Sequence, residues 1–261
     1  MSNKIIQKDF VNIRIVLDRS GSMGSAIKET IESINTFIKE QQNEKVNGSI
    51  TISTFDSGSI DVPIRNIKIK DMGSLDNNFL DPRGRTPLLD AIGLAINEHG
   101  NKDVEQNEKK TLVIVTDGLE NASTEYTNKA IKQLIENKTN EGWLIIYLGA
   151  DHDAFDQSKN IGIEYNKTLH YSKSDSIDAM RATSRKVSDY SKGTDPKRIK
   201  YEEFERNEKY NDKDFKNQIL QIATLIHNVE IAPKDWETNE DIKKLHTLGH
   251  NIRKEIEKEN T

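Results

Sequence analysis

Cysteine is absent from the 261 residues of the chain. Disulfides, thiolate metal centres and cysteine nucleophiles are thereby excluded, and the absence agrees with a reducing compartment. Long apolar runs are missing too. Residues 112–115 and 144–148 carry the longest, far short of the roughly 20 residues that a membrane-spanning helix needs, and residues 1–10 lack the apolar stretch of a secretion signal. Neither sign of charge dominates: 38 basic and 43 acidic residues give a formal net charge of −5. No global field therefore draws the chain to nucleic acid or to an anionic membrane. These absences predict a soluble, cytoplasmic protein.

The composition is hydrophilic, with 34% apolar and 31% charged residues, yet the apolar residues recur with a period, as in a folded protein with a charged surface. Residues 11–17 (VNIRIVL) read as a buried strand, short and β-branched. Ile27, Ile31, Ile34 and Ile38 follow at helical steps. Gly48 stops that helix, and residues 49–55 form a second strand. The turn at Ser57-Gly58 leaves too little chain for a helical crossover, so residues 61–69 run antiparallel to their predecessor, with Pro63 suited to an edge. After a polar loop, Thr86 caps and Pro87 opens a helix over 88–98. Residues 111–116 and 144–148 are apolar strands around a helix at 126–140. A short helix at 154–159, a strand near 165–170 and a helix at 174–192 complete the series. This alternation predicts a doubly wound, mostly parallel, six-stranded α/β sheet with one antiparallel edge strand.

Gly193-Thr194-Asp195-Pro196 marks a boundary between a domain at 1–195 and an extension at 196–261. The extension carries only helical patterns, at 214–229 and 238–258, which predict an α-helical hairpin with a heptad-like seam through Ile242, Leu245, Gly249, Ile252 and Ile256. That seam packs most simply on Phe215, Ile219, Ile222 and Ile226 of the same hairpin.

The residues that carry chemistry arrive where strands end. Asp18-Arg19-Ser20-Gly21-Ser22 follows the first strand, Gly84-Arg85-Thr86-Pro87 precedes a helix, and Thr116-Asp117-Gly118 closes a central strand. In open α/β sheets the carboxyl ends of the strands bind ligands. Asp18, Asp117, Ser20, Ser22 and Thr86 together offer two carboxylates and three hydroxyls, the hard-oxygen set that suits Mg²⁺, which takes one or two carboxylates with neutral oxygen or water. The bland reading of the same residues is that the serines cap the following helix and Asp117 caps a turn.

These residues resemble the von Willebrand factor A (VWA) domain family with its metal-ion-dependent adhesion site. Asp18, Ser20 and Ser22 match the family's Asp-x-Ser-x-Ser motif, Thr86 its distant threonine and Asp117 its second aspartate. The resemblance spans about residues 10–190 and is similar above all to stand-alone intracellular bacterial and phage members. It implies a Rossmann-like sheet, an ion (Mg²⁺ or Mn²⁺) held by these five side chains, and a coordination position left open for an aspartate or glutamate of a partner protein. The implied function is non-enzymatic, metal-dependent protein interaction. Arg19, Arg85 and His152 are candidates for a partner-binding rim.

Two other classes compete. Metal-assisted binding of RNA or DNA ends is disfavoured by the acidic balance. A phosphohydrolase would need a second aspartate where Ser20 stands, and neither a phosphate loop nor a Gly-x-Ser-x-Gly elbow is present. His246 and His250 lie one helical turn apart without a glutamate base or third ligand, so they read as a solvated face and not as a zinc site.

Overall fold

A computed structural model describes residues 10–100, 108–150 and 154–206. The helical hairpin placed at 214–258, with His246 and His250, lies outside the described residues, and so does His152.

Six strands form one sheet in the order β3-β2-β1-β4-β5-β6. They are β1 (Phe10–Asp18), β2 (Gly48–Asp56), β3 (Ser59–Lys68), β4 (Glu108–Thr116), β5 (Leu144–Gly149) and β6 (Thr168–His170). All neighbouring pairs are parallel except β2 with β3. The helices are α1 (Ile27–Asn43), α2 (Leu88–Gly100), α3 (Asn128–Asn140), α4 (Ala154–Asn160), α5 (Ser176–Ser191) and the short α6 (Glu203–Arg206). The expected Rossmann-like, doubly wound arrangement is thus the observed one. No helix among the described residues is long and apolar enough to cross a membrane.

The alternation of side chains along each strand explains the two cores. Val11, Ile13, Ile15 and Leu17 of β1, Val113 and Val115 of β4, and Leu144, Ile146 and Leu148 of β5 face α1 and α5, meeting Ile31, Ile34, Phe37, Met180 and Val187. Val16, Leu112, Ile114, Ile145 and Tyr147 face the other way, against Leu88, Leu89 and Ile92 of α2 and Ile131 and Ile135 of α3. Each large apolar side chain withdrawn from water contributes about 1.5–3 kcal/mol. The two cores therefore dominate stability, and the polar loops at the strand ends are free to serve another purpose.

Gly48 has a different reason from the helix stop suggested by its position. It opens β2 beside Val11 of β1, and a Cβ there would stand 2.1 Å from the Val11 carbonyl oxygen. Glycine is what lets the two backbones approach. Along the outer side of β2, the pairing with β3 shifts register twice, between Ile50 and Ile52 and between Ile52 and Thr54. Pro63 lies in that edge strand, as its missing amide requires.

The compact α/β unit continues past Gly193-Pro196 to Arg206. Ile199 and Tyr201 are buried in the core that faces α1 and α5. The buried Lys167 donates from Nζ to the carbonyls of Pro196 and Ile199, while the Tyr201 hydroxyl lies 2.6 Å from Thr183 Oγ1. Burial lowers the Lys167 ammonium from its ordinary 10.5 to about 8.

Replacing Gly48 by alanine forces β1 and β2 apart. The expected cost is about 1–3 kcal/mol, the range for an overpacked core, read as a lower denaturant midpoint at unchanged slope. Lys167 gives a pH signature. Its folded pKa lies below the unfolded one, so between about pH 8 and 10.5 the unfolded chain holds the proton that the folded chain has released, and stability rises with pH across that window. The slope of unfolding free energy against pH should therefore be more positive in wild type than in Lys167→Met. Equal slopes would contradict the assignment.

Candidate metal centre

The crossing of the chain from one side of the sheet to the other falls between β1 and β4, because β1 continues through α1 to β2 while β3 returns through α2 to β4. Such a switch point opens a crevice at the carboxyl ends of the strands. Parallel pairing sets Leu17 opposite Val115, so the next residues along, Asp18 and Thr116, arrive side by side. Thr116 Oγ1 donates to Asp18 Oδ2 at 2.5 Å, and the Ser20 amide donates to Asp18 Oδ1 at 2.7 Å. Asp18 is fully buried. Burial pushes its carboxyl above the ordinary range against the hydrogen bonds of Thr116 and Ser20, and the charge of Asp117 adds to the rise. A divalent cation would supply the positive charge that this buried carboxylate lacks.

The three loops meet here. Ser20 Oγ and Ser22 Oγ lie 3.1 Å apart, and Ser22 Oγ donates to Asp117 Oδ1 at 2.6 Å. Gly118 supplies the clearest measure of the space between them. A Cβ on Gly118 would stand 2.8 Å from Thr86 Oγ1, 3.3 Å from Ser22 Oγ and 3.5 Å from Asp18 Oδ2. Oxygens of the Asp18–Ser22 and Thr86 segments thus crowd the position beside Gly118 of the third segment, where residue 118 has no side chain. Among the described residues no group of three or more His, Asp or Glu is placed to hold a metal. The donor set is instead two carboxylates with hydroxyls, which fits a hard cation that keeps neutral oxygens and water in its shell.

Capping does not account for these hydroxyls. Ser20 occupies the cap position of the 3-10 turn Gly21–Ala26 without a side-chain cap bond. Thr86 does not act as the cap of α2, contrary to its position in the sequence. The first amides of α2 are taken from another loop: Leu89 N donates to Glu120 Oε2 at 2.9 Å and Asp90 N to Ser123 Oγ at 3.1 Å. Thr86 is held by its backbone, through its amide to Asn121 Oδ1 at 2.9 Å and its carbonyl to the Asn121 amide at 3.1 Å. Its hydroxyl stays beside Gly118. Asp90 fixes the far end of the same loop, accepting from the amides of Thr124, Glu125 and Tyr126 at 2.8–3.0 Å.

The rim differs from expectation. Arg19 is turned into the β2–β3 hairpin, where its guanidinium pairs with Asp56 at 2.5 Å and Asp61 at 2.6 Å and its side chain is only 12% exposed. An arginine so engaged is a brace for the loop and not a free hand for a partner. Burial of Asp56 opposes its charge, but the Gly58 amide and Arg19 hold its carboxyl below the usual range. Arg85 is exposed and bonds the Asn121 carbonyl at 2.6 Å. Two residues of the centre were not singled out by sequence reasoning. Thr116 is the residue directly before Asp117 at the end of β4, one past the Leu17–Val115 pair. Lys173, from the 3-10 turn Lys173–Asp175 after β6, reaches Asp117 Oδ2 at 3.1 Å, a long-range contact with no local signal.

No family model matches the chain, and no curated protein sequence matches it. Solved structures do. The pilus adhesin SpaC from Lactobacillus rhamnosus GG is similar with a TM-score of 0.56 at 16% sequence identity, over 70% of this chain and 31% of the adhesin. This chain therefore spans about a third of that protein. The VWA domain of SpRpn10 gives 0.48 at 13% identity, over 65% of this chain and 94% of the domain. Manganese-loaded TRAP protein of Plasmodium vivax gives 0.46 at 14% identity, over 65% and 71%. At such identities the likeness is one of fold. The chain has a six-stranded, Rossmann-like α/β sheet with one antiparallel edge strand.

Proposed function

We propose that the chain is a metal-dependent protein-interaction module without catalytic activity. Asp18, Ser20, Ser22, Thr86 and Asp117 hold Mg²⁺ or Mn²⁺, and an aspartate or glutamate of a partner protein completes the shell. The observation that carries this reading is the meeting of three loops at Gly118, where Asp18, Ser22 and Thr86 oxygens surround the missing side chain, Ser22 Oγ bonds Asp117, and the Ser20 and Thr86 hydroxyls are not consumed as helix caps. The cation would act as a Lewis acid toward an incoming carboxylate. With two carboxylates and neutral hydroxyls around it, a dication retains positive character. The protein's own part is to present the oxygens from braced loops on a stable core, so that little ordering remains when the partner arrives.

Binding fits these residues better than turnover does. Asp18 is oriented by Thr116 and the Ser20 amide, one bond to each oxygen, which leaves lone pairs for a cation, and Ser20 occupies the place where a two-aspartate phosphohydrolase needs its second acid. The Asp18 carboxylate is thereby held in place as a ligand, without a second acid two residues on for proton transfer.

Millimolar Mg²⁺ or Mn²⁺ should raise the melting temperature of wild type, because a ligand of the native state stabilises it by mass action. In Gly118→Ala, whose new methyl would press on Thr86 Oγ1, the metal-free melting temperature should fall modestly while the metal response disappears. An undiminished response in Gly118→Ala would remove the position beside Gly118 as the site. In affinity capture from a native lysate, wild type with Mg²⁺ should retain partners that are lost with EDTA or with Asp18→Ala. Identical recoveries under all of these conditions would overturn metal-dependent capture.

A further inference from the structure

Lys173 is the one described cation that touches the candidate centre directly and has no part in the proposed ligand set. Its ammonium lies 3.1 Å from Asp117 Oδ2, donates to Ser25 Oγ at 2.6 Å and approaches the Ser22 carbonyl at 3.4 Å. It thus bridges two of the three loops, from a turn that is itself braced. Ser172 Oγ donates to Asp175 Oδ2 at 2.5 Å and lies 2.7 Å from Ser174 Oγ. The side chain of Asp117 is 4% exposed and that of Lys173 is 40% exposed. The acid is therefore fixed while the lysine has solvent to retreat into.

We propose that Lys173 is a built-in competitor for the cation and sets the metal concentration at which the centre fills. The inference rests on the metal reading above and adds to it a residue outside the ligand set. Both oxygens of Asp117 are engaged, Oδ1 by the Ser22 hydroxyl and Oδ2 by Lys173. A cation approaching Asp117 Oδ2 therefore meets the Lys173 ammonium on the same oxygen. A unit positive charge within a few ångströms of a dication opposes its binding, more strongly at a half-buried site than in bulk water. The same charge neutralises Asp117 beside the buried Asp18 when no metal is present. Lys173 thereby stabilises the metal-free centre and raises the metal requirement of the filled one.

Titration calorimetry and metal-dependent melting of the full chain with Mg²⁺ and Mn²⁺ test this, using wild type, Lys173→Met and Lys173→Arg. Lys173→Met should bind metal more tightly, with a midpoint lower by about tenfold, the scale of one charge–charge contact at a half-exposed site. Lys173→Arg, which keeps the charge, should stay near wild type. The gap between wild type and Lys173→Met should narrow at about 1 M salt, where screening acts over roughly 3 Å. A metal response with equal or weaker affinity in Lys173→Met would overturn the competitor role and leave the metal reading standing. No response in either protein would overturn both.

Discussion

Parallel pairing of β1 with β4 is the constraint on which the rest of the centre depends. With Leu17 opposite Val115, the strand ends deliver Asp18 next to Thr116, and the loops that follow have no choice but to begin side by side. A slip by one residue would turn every side chain of β1 to the opposite face. Val11, Ile13, Ile15 and Leu17 would then lose their places against α1 and α5. The apolar core thus enforces the register, and the register assembles the carboxylates. Stability and the polar centre share one cause, although the core supplies nearly all of the energy.

Around that joint the loops are tied by backbone amides that donate to side-chain and main-chain oxygens. Asp90 accepts from three successive amides, Glu120 caps α2 from outside, and Asn121 pairs reciprocally with Thr86. On the other side, the Gly21 amide donates to the Gly84 carbonyl at 3.2 Å and the Arg83 amide to the Arg19 carbonyl at 2.9 Å. These bonds connect the loop of Ser20 and Ser22 to that of Thr86, and that of Thr86 to the segment after Asp117. Each is worth about 1 kcal/mol net. Their combined effect is positional: hydroxyls from distant parts of the sequence reach one place without first being drawn into helix caps.

Much of this was readable from residue types and spacing. The strand and helix order, the antiparallel edge with Pro63 and the placing of Asp18 and Asp117 at strand ends all follow from local periodicity and turn chemistry. Position alone misled where a long-range contact overrode the local preference. Thr86 stands where a cap belongs, yet Glu120 and Ser123 do that work. Gly48 resembles a helix stop, yet its lack of a side chain admits the backbone of β1. Arg19 stands between Asp18 and Ser20 in the chain, yet Asp56 and Asp61 draw it into the hairpin. The boundary at Pro196 looked natural because Gly193 and Pro196 punctuate the sequence. Ile199 and Tyr201 continue the α/β core beyond it, anchored by a lysine that nothing near it in the chain marks out.

The two edges of the sheet bear on how this molecule meets others. A flat, long border strand offers a ready ladder of amides and carbonyls to any extended segment. β3 has Pro63 and two shifts of register, and β6 is only three residues long. Neither border suits strand addition, so the described unit is protected from edge-to-edge polymerisation. Any association of the described unit would thereby fall to side chains displayed on its loops and helices, where recognition depends on individual chemical groups and not on generic main-chain pairing.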